Sequence, residues 1–388
     1  MKRHRWLACC WLLGSCAPLG PGALSFEGFH RPRTPADLCR LDWRVQFTSP
    51  LDLETRPRFR AVPAYDPEAR VLYVGGLDRA LHALRARDGL ELWRFQTLGA
   101  VEGAPVVAGG TVYFGSDDGA LYAVDAQSGA LRWRAATTAE VLRPPVVTAD
   151  SVYFVNADDT VFGADRVRGG IRWRYRRPQP GGITGSGHAG LLPDGERLVT
   201  GFSDGAVVAL DARDGAVVWE HDTSADVENL EEVRESHRLI DVDSTPVALG
   251  DTLYVASYTA GLYALDRETG TVRFRADALV GVGALATDGR DLFAAAGSRL
   301  LKVDPTDGSV RWARELPSQG LVEPLFHEGM VLAPTSDGAL WFLRARDGEA
   351  LLGVGRDGYG SPPLIVGRRL YTVSNGAVVV AWRLHRQG

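Results

Sequence analysis

The chain has 388 residues, 45% hydrophobic and 23% charged, with a formal charge of −5. That balance excludes a disordered or collagen-like chain, and without a basic stripe or a high pI it excludes a general nucleic-acid binder. Single cores stop growing near roughly 250–300 residues, so a chain of this length holds either several domains or a repeat array.

The first residues differ in kind from the rest. MKRHRW is basic, LACCWLLG is a short apolar run, and LGSC ends at Cys16. The run is too short to span a bilayer and has the anatomy of a secretory signal. Leu13, Gly14, Ser15 and Cys16 resemble the lipobox of bacterial lipoproteins, which implies a signal peptide over residues 1–16 and lipid on Cys16. Cleavage after Ala23 or Ser25 is the alternative. Cys9 and Cys10 would leave with the signal, and if Cys16 carries lipid, Cys39 is alone, a small residue near the start of the fold. Residues 17–39 read as a linker.

From residue 40 to 386 one phrase organises the chain: Asp or Arg, Gly four residues on, and a large apolar residue four further. It occurs at Arg85/Gly89/Trp93, Asp125/Gly129/Trp133, Asp165/Gly169/Trp173, Asp211/Gly215/Trp219, Asp266/Gly270/Phe274, Asp304/Gly308/Trp312 and Arg344/Gly348/Leu352. Within one unit, residues 104–135, the runs APVV, TVYFGS, ALYAVD and LRWRA are rich in β-branched and aromatic residues and are separated by GG, DDG and AQSG. Four short strands joined by tight turns form an antiparallel meander. Successive anchors lie 40, 40, 46, 55, 38 and 40 residues apart. A period near 40–45 with four strands per unit predicts a β-propeller. The all-β fold expected is eight-bladed, and Trp93, Trp133, Trp173, Trp219, Phe274, Trp312 and Trp43 are expected to stack between blades.

At the C-terminus RRLYTVS and AVVVAW supply inner strands, Trp382 stands where other units have aspartate, and the chain stops before a fourth strand. LCRLDWRVQF near the N-terminus carries Trp43 and supplies the missing strand from residues 40–47, closing the ring. Such closure removes free sheet edges.

Between Trp219 and Phe274 the repeat stretches to 55 residues. The excess is SADVENLEEVRESHRLIDVD at 224–243, with seven acids and two arginines, a net charge of −5. Long loops on a rigid scaffold carry binding residues, although a solvated connection with a helical turn through Val227, Leu230 and Val233 fits the same residues. Asp241 and Asp243 alternate with Val242, so an extended strand would point both carboxylates one way.

Blades of this wording resemble the pyrroloquinoline-quinone-type repeat, found in quinoprotein dehydrogenases and in non-enzymatic propellers. With the lipobox and the segment RLIDVDSTPV at 238–247, the chain is more specifically similar to the BamB family of outer-membrane assembly lipoproteins. That resemblance implies a scaffold without cofactor, lipid-anchored on the periplasmic face of the outer membrane. It implies contact between Arg238, Leu239, Asp241 and Asp243 and the periplasmic domains of a BamA-like barrel-inserting subunit, with other assembly members and unfolded outer-membrane proteins as further partners. A second family contact has Leu-x-Leu-Arg wording. Here GGITGSG at 181–187 offers Ile183, with Thr184 in place of the arginine and Gly181 in place of a leucine.

Two other readings stay open. One is an exported propeller binding peptide or polysaccharide. The other is a quinoprotein enzyme, which would need an acidic and amide calcium site and commonly a vicinal cysteine pair. The vicinal pair here, Cys9 and Cys10, lies in the signal, and His82, His188, His221, His237, His327 and His385 have no metal-ligand spacing. No catalytic residue and no metal site is therefore expected.

Overall fold

The repeat phrase places one tight turn in every unit, and each turn folds its strands back into a local sheet. A computed structural model describes residues 39–47, 61–178, 189–225, 242–354, 361–374 and 376–385. Among these, 32 strands form eight four-stranded antiparallel sheets, the blades of an eight-bladed β-propeller. Blades 1 to 7 span residues 64–96, 106–136, 146–176, 192–222, 247–276, 282–315 and 325–354. Blade 8 takes its first three strands from residues 364–384 and its fourth from Cys39–Gln46.

In each blade the first strand, two or three residues long except for Val282–Thr287 in blade 6, is innermost and the fourth is outermost. Thr111–Ser116 and Ala120–Asp125 are buried almost throughout, because neighbouring blades cover both their faces. The outer strand Leu131–Ala136 alternates exposed and buried residues. Strand antiparallelism puts the turns between strands one and two, and between three and four, on one side of the ring, here called the turn face. Blade-to-blade connections lie on the opposite side, the connection face.

The turn into the fourth strand explains the anchor residues. In blade 2, Asp125 Oδ1 accepts from the backbone N–H of Gln127 (3.1 Å) and Ser128 (2.8 Å), and Gly129 N–H donates to the Asp125 carbonyl (2.9 Å). Gly129 has φ +72° and lies on the indole of Trp93 from blade 1, where an added Cβ would stand 2.6 Å from a ring carbon. Trp93 Nε1 donates to the carbonyl of Ala126 at 3.1 Å. Trp43, Trp133, Trp173 and Trp312 repeat the arrangement, donating to Ala86, Arg166, Ala212 and Ala345. Each indole buries roughly 150–250 Å² and joins two blades. Phe274 lies under Gly308 but has no N–H, and Tyr254 hydroxyl donates to the Pro305 carbonyl at 2.6 Å. Trp219 lies under Gly270, yet its buried Nε1 has no hydrogen-bond partner among the described residues.

Every fourth strand carries a bulge one residue before its stacking residue. The bulged residue is Arg132, Arg172, Arg273 or Arg311 in blades 2, 3, 5 and 6, and each reaches the anchor aspartate seven residues earlier at 2.6–2.7 Å.

Blade 8 is closed by changed chemistry at equivalent positions. The register pairs Tyr371 with Ala381 and Arg369 with Arg383, as Tyr113 pairs with Ala123 and Thr111 with Asp125. Arg383, and not Trp382, therefore stands at the aspartate position. The fourth strand of blade 8, Cys39–Gln46, is not joined to the third by a turn, so a turn-capping carboxylate is dispensable at that position. The bulged residue is now Asp42, 3.1 Å from Arg383 and 3.2 Å from Arg369, so the ion pair is kept with its polarity reversed. Cys39, four residues before Trp43, occupies the place of the anchor glycine, so the strand begins one residue inside the segment read as linker. It shares a buried cluster with Leu352, the aliphatic residue standing where other blades have an aromatic. A smaller neighbour leaves room for a thiol.

Candidate partner-binding site

Blade entry on the connection face follows its own phrase. Val101, Val141 and Val242 each insert against a glycine of the preceding blade, Gly75, Gly115 and Gly201, where an added Cβ would approach within 2.1–2.3 Å. Their N–H groups donate to the carbonyls of Gly76, Ser116 and Phe202 at 3.1–3.2 Å. Four residues later comes Pro105, Pro145 or Pro246, opening the next first strand. The half VDSTPV of RLIDVDSTPV is thus blade construction, and what distinguishes this connection is the stretch before Val242.

After Val242 the chain is fixed closely. Ser244 Oγ accepts from Ala256 N–H (3.0 Å) and donates to its carbonyl (3.1 Å), and Thr245 Oγ1 accepts from Gly190 N–H at 2.9 Å. The last bond ties the connection leaving blade 4 to the connection entering it. Asp243 is half-buried between these anchors. Its carbonyl accepts from Arg143 Nη2 at 3.4 Å, across 100 residues of sequence and from the connection between blades 2 and 3. Arg143 was not singled out in the sequence, although aligning VLRPPV with VDSTPV brings it to the position of Ser244.

The structure therefore brings Asp243 to the inner edge of the connection face. Asp241, Arg238, Leu239 and Ile183 lie outside the described residues, as does Cys16. Val242 beside it is buried. Among the described residues no three His, Cys, Asp or Glu side chains converge to hold a metal, and no helix is long and apolar enough to cross a membrane. The buried Cys39 thiol is pushed up by burial and lies among apolar side chains.

Eight four-stranded blades, joined at seven of their eight junctions by aromatic rings under positive-φ glycines, define a propeller of the pyrroloquinoline-quinone-type repeat. The family model described as outer membrane protein assembly factor BamB matches residues 40–127, 78–295 and 261–383, and the chain belongs to that family. Relatives carrying the same description include one from Pseudomonas aeruginosa, 28% identical over 208 residues (52% of this chain, 53% of the relative). Another, from Alkalilimnicola ehrlichii, is 29% identical over 209 residues, 52% of each chain. The chain spans about half the length of these curated relatives. BamB from Moraxella catarrhalis superposes with a TM-score of 0.74 at 22% identity, covering 89% of this chain and 99% of that one. A quinohemoprotein alcohol dehydrogenase from Pseudomonas putida gives 0.67 at 16% identity over 90% of this chain and 77% of that one, a likeness of fold alone.

Proposed function

We propose that this protein is a non-enzymatic scaffold lipoprotein of the machinery that assembles outer-membrane β-barrels. In this reading Cys16 carries the lipid anchor, and the connection face of blade 4 binds the periplasmic domains of the barrel-inserting subunit. The observation that carries it is the connection of 224–243: the longest spacing in the repeat, with a net charge of −5, in a chain that belongs to the BamB family. The relatives' shared description supplies the outer-membrane setting. Ser244, Thr245 and Val242 provide a rigid exit for that loop, so an acidic segment is presented from a fixed base. Charge on Asp241 and Asp243 would speed encounter with a basic patch, and Leu239 and Ile240 would supply apolar contact.

The test is capture from detergent-solubilised outer membrane. The wild-type protein should retain a large barrel-bearing subunit, and Asp241→Arg with Asp243→Arg should abolish capture while the far-ultraviolet spectrum and melting midpoint stay native. Capture unchanged by the double variant would move the interface elsewhere, and no barrel-bearing subunit with the wild type would refute the assembly reading. Mass spectrometry of the mature N-terminus checks lipid on Cys16.

A further inference from the structure

On the connection face, the turn between the second and third strands of blade 5 departs from its sisters. Counted back seven residues from the anchor, five blades carry an aspartate: Asp78, Asp118, Asp158, Asp204 and Asp337. In blades 2 to 4 that carboxylate ties down the segment leaving the outer strand of the previous blade. Asp118 Oδ2 accepts from Leu98 N–H (3.1 Å), Asp158 Oδ2 from the Thr138 hydroxyl (2.6 Å) and Asp204 Oδ2 from Arg177 Nε (2.6 Å). Blade 5 has Thr259 at this position, and its buried hydroxyl has no hydrogen-bond partner among the described residues. The segment that leaves the outer strand of blade 4 is the one that runs into the acidic stretch from residue 224. An aspartate in this turn would add charge beside a stretch already at −5.

The residue before Thr259 changes as well. Asp117, Ala157 and Ser203 precede the aspartate in blades 2 to 4, whereas blade 5 has Tyr258, 50% exposed. The repeat places this tyrosine beside the acidic connection. In the sister turns, Asp117 and Ala157 donate their N–H to the carbonyls of Ala100 and Glu140, the residues just before the inserted Val101 and Val141 (2.9 and 2.8 Å). In blade 5 the same turn adjoins the inserted Val242: Val242 and Ala260 share one buried cluster, and Ser244 is bonded to Ala256. On the other side Gly281 N–H donates to the Tyr258 carbonyl at 2.8 Å, which brings the neighbouring Val280, 49% exposed, to the same edge. Tyr258 and Val280 are therefore an exposed apolar pair, fixed by backbone bonds and continuous with the segment that carries Asp243.

We infer that Tyr258 and Val280 are the apolar anchor of the partner surface, taking an apolar side chain that basic residues flank on the periplasmic domain docked against the acidic connection. A tyrosine supplies a large contact area at low entropic cost, and such residues dominate the energetics of many interfaces. Acidic surroundings then select the basic rim of the partner, so charge sets the orientation and the tyrosine ring supplies the burial. The inference rests on the proposed assembly role and extends its surface from blade 4 to the connection between blades 5 and 6.

The test uses the mature full-length protein and the barrel-bearing subunit that it retains from detergent-solubilised outer membrane, purified and immobilised, with affinity read by biolayer interferometry. Tyr258→Ser gives blade 5 the residue of blade 4 without a change of charge, and should weaken binding by about tenfold or more with the melting midpoint retained. Tyr258→Phe keeps the ring and should bind within about twofold of the wild type. Val280→Ser should weaken binding several-fold, which decides the matter if Tyr258→Ser fails to fold. Val167→Ser, at an 81% exposed position on the turn face, should leave binding unchanged. Wild-type affinity in both Tyr258→Ser and Val280→Ser would overturn the inference, and the assembly role would survive it if Asp241→Arg with Asp243→Arg still abolishes capture. An equal loss through Val167→Ser would also overturn it, and a wild-type protein that retains no such subunit would overturn both readings.

Discussion

The junction between blades 7 and 8 yields the sharpest prediction, because two residues depart together from the pattern kept at seven other interfaces. There, glycine faces a ring so closely that a Cβ would stand 2.4–2.8 Å from a ring or neighbouring side-chain atom, far inside the ~3.5 Å at which carbon atoms pack. At this junction Cys39 is 4% exposed and Leu352 1% exposed. Leu352→Trp would bring an indole onto the Cys39 Cβ and Sγ, and overpacking of this kind costs about 1–3 kcal/mol. Cys39→Gly alone removes buried atoms beside Leu352 and frees the backbone, costing about 1–2 kcal/mol. Combined, the two changes recreate the glycine-over-indole pair, so the double variant should recover at least the cost of Leu352→Trp, a coupling of about 1 kcal/mol or more. Urea midpoints of the four proteins, measured under reducing conditions, check this. Strictly additive costs, or a Leu352→Trp variant as stable as the wild type, would refute the idea that Cys39 and Leu352 replace the glycine and ring as a matched pair.

Asp42→Arg should lower the melting midpoint by setting three arginines together at the ring closure. The cost is about 1–3 kcal/mol, reduced because Arg383 is half-exposed, and adding Arg383→Asp should recover much of it. Absence of recovery in the exchanged pair would show that its polarity is immaterial. Anchor carboxylates tie the fold to pH: Arg213 holds Asp211, Arg273 holds Asp266, and the Thr306 hydroxyl holds Asp304, each at about 2 against an ordinary 3.8. Depressed folded-state values stabilise above the unfolded value and lose that contribution as pH falls from about 4 through about 2. Urea midpoints should therefore drop in that window, and an Asp→Asn triple variant should show a flatter acid limb; parallel acid limbs would contradict the linkage. Trp93→Phe should cost about 0.5–1.5 kcal/mol more than Trp219→Phe, since Trp93 Nε1 gives up a bond to Ala126 and the Trp219 donor has none to lose. Equal costs in paired denaturation curves would contradict that difference.

The architecture is written in the sequence because each blade is a local object. Asp125, Gly129 and Trp133 lie within nine residues, and their turn, positive φ and ring can be inferred without knowing what lies across the molecule. Repetition then supplies the neighbours, since the residue under Gly129 is the preceding copy of Trp133. Legibility fails where a contact joins different copies out of step. Arg143 reaches Asp243 across two blades, and nothing in VLRPPV announces a partner 100 residues away. Trp382 misled for a related reason: counting from a tryptophan assumes that the aspartate and ring positions keep their residue types, whereas the ladder of blade 8 assigns Arg383 to the aspartate position. The changed ion pairing of blade 4 hides in two unremarkable substitutions, Arg197 and Val218, which acquire meaning only when the register sets them opposite the Thr111 and Arg132 positions of blade 2 and Asp211 is found paired with Arg213 instead. In a repeat protein the shared phrase therefore reveals construction, and individuality emerges where aligned positions exchange roles between neighbouring strands.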